Sequence, residues 1–159
     1  MNGLWLTIEF KDVCPSKIIP EYGRDAERRL AKLRQTVERC ARYGIKLYVF
    51  CIEPAALPAD SPILKRHPEL SGNKVNGRPA FCTSNPLAQA YLEEATRTLF
   101  TAVPGLGGLI DISVGERWTH CYSAKGDPRE NNCPRCKHRK PWEVLAEVLS
   151  AMERGMHAA

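Results

Sequence analysis

The chain has 159 residues, 43% of them hydrophobic and 26% charged, with a formal net charge of +5. That balance suits a single domain with one core of ordinary size. No stretch approaches the roughly 20 uninterrupted apolar residues of a membrane helix, and the N-terminus lacks the basic, apolar and small-residue regions of a secretory signal, so a soluble, cytoplasmic protein is expected.

In chain order, Leu4 to Phe10 is apolar and β-prone, and a loop with Pro15 and Pro20 follows it. From about Asp25 to Tyr43, Leu30, Leu33, Val37, Cys40 and Ala41 recur at helical spacing, and Gly44 is placed to end the helix. Ile45 to Ile52 is a nearly continuous apolar run, as expected of a strand buried on both faces of a parallel sheet, and it leads into Glu53-Pro54. The connection from Ala55 to Thr83 is rich in proline and too long for an idle loop. Asn85-Pro86 opens a helix with Leu87, Tyr91, Ala95 and Leu99 along one stripe, and Pro104-Gly105 stops it. Leu109 to Val114 is a third strand, followed by Gly115-Glu116 and a cysteine-bearing loop over residues 117–140. Pro141 opens the last helix, with Leu145, Val148, Leu149, Met152 and Met156 on one face.

Strands alternating with helices predict an α/β fold with right-handed crossovers and a parallel sheet. About three β/α units are present, whereas a closed (β/α)8 barrel takes eight. The expectation is therefore one domain forming part of such a barrel, a fragment completed by the remaining barrel portion or by self-association. A small open three-layer sheet is the structural alternative.

In a parallel barrel, chemistry sits at the carboxyl ends of the strands. Glu9, Glu53 and Glu116 occupy such places, and acidic groups gathered there suit glycosidic bond cleavage, which needs a protonated acid and a stabilising negative charge. Trp118, Arg117 and His120 follow Glu116 and are candidate substrate contacts, because aromatic faces pack on sugar rings while polar groups take the hydroxyls. Trp5 and Tyr122 lie near the same face, although Trp5 also reads as barrel core.

The seven cysteines divide into two sets. Cys14, Cys40, Cys51 and Cys82 stand among apolar residues, where a free thiol acts as a small hydrophobe. Cys121, Cys133 and Cys136 share one loop with His120 and His138, and the Cys-x2-Cys turn directs two thiolates at one tetrahedral ion. A structural zinc knuckle with Cys121, Cys133, Cys136 and His138 is one reading; a Cys133–Cys136 disulfide or three free thiols are the others. No cofactor is expected for catalysis. The basic groups cluster between Arg24 and Arg42 and at Lys137-His138-Arg139-Lys140, without the aromatic interleaving of a nucleic-acid motif, so they read as solvated surface.

Several features occur in a recognisable order: Leu4-Trp5 before Glu9, Ala41-Arg42-Tyr43-Gly44-Ile45 leading to Glu53, His67-Pro68-Glu69-Leu70, Ser84-Asn85-Pro86, and Ser113-Val114-Gly115-Glu116. From Leu4 to Glu116 this order resembles the catalytic barrel of the family-20 glycoside hydrolases, the β-N-acetylhexosaminidases. The resemblance implies a carbohydrate substrate and Glu116 as general acid. Gly115 stands where that family has the aspartate that orients the substrate acetamido group, which sets this chain apart from substrate-assisted cleavage. The other function to weigh is a non-catalytic interaction module built on the cysteine loop.

Overall fold

In a computed structural model of the chain, residues 2–123 and 128–159 are described. Residues 124–127, part of the expected cysteine-bearing loop, lie outside them. Strand β1 (Gly3–Thr7) is followed by a short helix α1 (Phe10–Val13) and by α2 (Ala26–Ala41). Then come β2 (Lys46–Cys51), α3 (Pro62–Arg66), β3 (Ser71–Val75), β4 (Arg78–Phe81), α4 (Pro86–Ala102), β5 (Gly108–Asp111) and α5 (Pro141–His157).

The fold is mixed α/β, with β1, β2 and β5 forming a parallel sheet in the order β1-β2-β5. Its register sets Trp5 beside Tyr48 and Phe50 beside Ile110, so alternate residues share a face. Leu47, Val49 and Cys51 are buried in a core with Leu30, Leu33 and Val37 of α2 and Tyr91, Leu92, Ala95 and Leu99 of α4. The opposite face is open: Trp5 is 55% exposed and Ile110 41%, while Tyr48 and Phe50 are half-buried. Trp5 packs on Phe50, with ring centroids 5.1 Å apart, rather than entering the core.

Three boundaries differ from the sequence reading. The first strand ends at Thr7, because Phe10 turns into α1 and is fully buried there. The third strand ends at Asp111, which leaves Ser113 to Glu116 in the loop beyond it. The connection read as a loop contains an antiparallel β3–β4 hairpin. Its turn is Asn76-Gly77, with φ of 51° and 75°, left-handed values that an Asn-Gly pair accepts at little cost. Among the described residues, no helix is long and apolar enough to cross a membrane.

Helix α4 begins where the sequence places it: Pro86 takes the first turn and the Asn85 side chain accepts the Leu87 N–H at 2.8 Å. Helices α4 and α5 pack against each other closely at Gly155. A Cβ there would collide with Thr96 Oγ1 and with the Glu93 carbonyl, and backbone cannot swing aside as a side chain can. Gly155→Ala is therefore expected to force the helices apart and to cost about 2–3 kcal/mol of unfolding free energy, measured by chemical denaturation.

Candidate metal centre and strand-end groove

Four cysteines converge from distant parts of the chain. Cys82 directly follows β4, Cys121 lies beyond β5, and Cys133 and Cys136 form the knuckle before α5. All four are fully buried, and their sulfur atoms lie within 4.8 Å of one another. Cys82 Sγ is 3.7 Å from Cys133 Sγ and 4.0 Å from Cys136 Sγ. Metal–sulfur bonds of about 2.3 Å in a tetrahedron set the sulfurs about 3.8 Å apart, whereas a disulfide needs about 2.05 Å. The geometry therefore suits a four-thiolate metal site, and all seven cysteines are free.

The surroundings are shaped for sulfur. A Cβ on Gly72 would lie 2.5 Å from Cys121 Sγ, so only glycine lets β3 approach that closely. The Asn73 N–H donates to Cys121 Sγ at 3.4 Å, and Cys136 Sγ meets Ser84 Oγ at 3.3 Å. The Cys121, Cys136 and Cys82 thiols together with the Arg135 backbone hold the Cys133 thiol well below its usual range. Arg139 donates to Ser84 Oγ at 2.9 Å and to Glu147 Oε1 at 2.6 Å, setting a positive charge beside a site that would carry net negative charge when filled.

The expected ligand set is thus altered at one position. Cys121, Cys133 and Cys136 come together, but the fourth partner is Cys82, read from sequence as a buried hydrophobe, and not His138, which is exposed. Cys82 lies some forty residues upstream of Cys121, and only the hairpin brings it back. The hairpin is in turn pinned by the knuckle. Lys74 N–H donates to Asn132 Oδ1 and Asn132 Nδ2 donates to Lys74 O, both at 2.9 Å, and Asn73 Nδ2 donates to Cys121 O at 3.1 Å.

Beside this centre, a groove of about 600 Å³ runs over the strand ends. Glu9 and Lys11 line it from beyond β1, Ala55 and Ala56 from beyond β2, and Glu116, Arg117 and Trp118 from beyond β5. The hairpin adds Val75, Asn76 and Arg78. Glu9 lies 2.5 Å from Lys11 Nζ and 3.0 Å from Arg117 Nη1, and these two cations, Lys11 first, hold its carboxyl below the usual range. Trp118 is fixed by its carbonyl, which accepts the Ala56 N–H at 3.0 Å, while its buried indole N–H has no partner among the described residues. Glu116 is exposed.

Two expected site residues lie outside the groove. Glu53 is only 3% exposed, and its two oxygens accept the N–H groups of Phe10 at 2.7 Å and Ala55 at 2.8 Å. Asp111 accepts the Glu53 N–H at 2.9 Å and the Ser113 hydroxyl at 2.5 Å. The two carboxylates therefore tie the ends of all three strands from beneath. Burial pushes Glu53 up to about 7, against the opposing pull of its two N–H donors. His120 is also buried, paired as a short bridge beside Phe81, and its Nδ1 accepts the Tyr122 N–H at 3.2 Å. Burial lowers it to about 4, leaving a neutral ring packed away from the groove.

No family model matches this chain, and no curated protein matches it in sequence.

Proposed function

We propose that the chain is a three-unit portion of a glycosidase-like (β/α)8 barrel, with a carbohydrate groove at its strand ends braced by a structural zinc centre. The observation that carries this reading is the convergence of Glu9, from the connection after β1, with Glu116, Arg117 and Trp118, from the connection after β5, in one groove. The parallel sheet, open on one face and unpaired at both edges, supports a place in a larger barrel, because parallel sheets are ordinarily covered on both sides. Zinc is the metal that a closed set of four thiolates suits best, and its role there is to cross-link the hairpin to the loop after β5.

In this mechanism Glu116, free of ion pairs among the described residues, gives its proton to the glycosidic oxygen as the anomeric C–O bond breaks and the alcohol leaves; water then adds to the anomeric carbon and returns a proton to the Glu116 carboxylate. Glu9, kept ionised by Lys11 and Arg117, supplies negative charge near the developing positive centre. Trp118 offers an apolar surface to a sugar ring. Glu53 acts indirectly, by fixing the strand ends on which Glu9 and Ala55 are carried. Gly115, with φ of 99°, supplies no second carboxylate beside Glu116, so the route does not depend on a substrate acetamido group.

Glu116→Gln is expected to lower turnover of an aryl glycoside hydrolysed by the wild type by a factor of about 100 or more, with metal content unchanged. Wild-type rates in the variant would remove Glu116 as the acid. The four-thiol centre also favours a second reading, a metal-dependent interaction module. In that case the protein would hydrolyse no glycoside, and any binding to nucleic acid through Lys137, Arg139 and Lys140 would weaken steeply as salt rises.

A further inference from the structure

Among the described residues, the groove carries a cation without an ion pair on its hairpin wall, and we propose that Arg78 makes it selective for acidic saccharides, whose rings bear a carboxylate or a sulfate. This inference rests on the groove being a sugar site. Arg78 is the first residue of β4, directly after the Asn76-Gly77 turn and opposite Val75. The hairpin cannot swing freely, because Asn132 holds Lys74 through two 2.9 Å hydrogen bonds and Cys82 anchors the end of β4 in the thiol centre. Arg78 is exposed, lines the groove, and its guanidinium has no hydrogen bond or ion pair among the described residues.

The other cations of the groove are engaged. Lys11 and Arg117 both hold Glu9. Arg78 and Glu116 thus share one groove without neutralising each other, one from the hairpin and one from the loop after β5. A ligand that spans them must present an anionic group to the guanidinium and an acceptor oxygen to the acid. The planar guanidinium matches a carboxylate or sulfate with two parallel hydrogen bonds, which neutral sugar hydroxyls reproduce poorly.

The test is calorimetric binding to the metal-containing full chain at fixed ionic strength, using trigalacturonate, a sulfated chondroitin disaccharide and neutral cellotriose. One of the acidic probes is expected to bind about tenfold or more tightly than cellotriose. Arg78→Gln should remove that preference, weakening the acidic probe about tenfold more than it weakens cellotriose. Lys74→Gln, which alters an exposed cation on the same hairpin but outside the groove, should leave the preference intact. Which acidic probe binds distinguishes carboxylate from sulfate. Equal affinity for acidic and neutral probes, or equal losses in the Arg78 and Lys74 variants, would overturn the inference and leave the groove as a sugar site. Failure of every saccharide to bind would overturn both.

Discussion

If zinc fills the four-thiol site, Cys82→Ser is expected to abolish metal binding and loosen the half of the molecule that builds the groove. The four sulfurs form a set of the size a tetrahedral ion needs, with no further His, Cys, Asp or Glu in the group among the described residues, so serine leaves three thiolates and a hydroxyl that binds zinc far more weakly. Structural zinc sites contribute about 10 kcal/mol or more in apparent binding free energy, comparable with the whole stability of a domain. Losing even part of that should lower the melting temperature by roughly 10 °C or more for a chain of this size. The damage should be local at first. Cys82 directly follows β4, Cys121 touches Gly72 and Asn73 of β3, and Asn132 beside Cys133 clamps Lys74, so the hairpin loses three anchors together. Hydrogen exchange in β3 and β4 should rise before that in α4, whose core contacts lie elsewhere. Metal stoichiometry measured alongside the melts decides the matter. His138→Ala and Cys40→Ser should each keep one metal per chain; a Cys82→Ser protein that also keeps it, with wild-type affinity, would show that the fourth ligand is another group.

The second large effect concerns Glu53. Its two oxygens hold two backbone N–H groups in a site closed to water, so Glu53→Ala would leave both donors unsatisfied and open a cavity. Each unsatisfied buried group costs about 1–3 kcal/mol, and a loss of about 3–5 kcal/mol is expected in denaturant unfolding. Glu53→Gln separates charge from shape. Glu53 is raised from 4.5 to about 7 in the folded protein, so between these values the folded state holds a proton that the unfolded chain has released. The stability this proton confers is fully present below pH 4.5 and is lost as pH rises through 7. The stability of wild type relative to Glu53→Gln should therefore fall by about 3 kcal/mol across that window and stay flat above it. A flat difference from pH 4 to 8 would mean that folding does not raise the Glu53 pKa, its two N–H donors offsetting burial. Asp111, raised by its own burial, adds a weaker trend of the same sign that both proteins share.

The groove and the metal centre are parts of one construction. β5 ends early, and the segment after it passes Glu116 to Trp118 along the groove before Cys121 enters the thiol cluster. Phe81 N–H donates to the Thr119 carbonyl at 2.8 Å, so β4 and this segment are held side by side between the two sites. Metal removal should consequently perturb Trp118, whose carbonyl also anchors Ala56.

The sequence alone determined the parts of this protein governed by local periodicity and short-range chemistry. The heptad-like spacing of Leu30, Leu33 and Val37, the Asn85-Pro86 cap and the apolar run at Leu47 to Cys51 specify their helices and strand through neighbours a few residues away. The Cys133-x2-Cys136 turn belongs to the same class, as does the placing of Glu9 and Glu116 in the connections that follow the first and third strands. What only the tertiary structure decided depends on contacts across long separations. Cys82 has the same apolar neighbours as a core thiol, and nothing beside it announces a ligand; the Asn76-Gly77 turn, the one local sign of the hairpin, says that the chain reverses but not what it reverses toward. Glu53 and His120 are spaced along the chain like site residues, yet both are buried, because the side that a residue past a strand end presents is set by the packing of Phe10, Phe81 and Tyr122 against it. Periodicity decides which segments are strands and helices; burial of charge and convergence of ligands are properties of the packed whole.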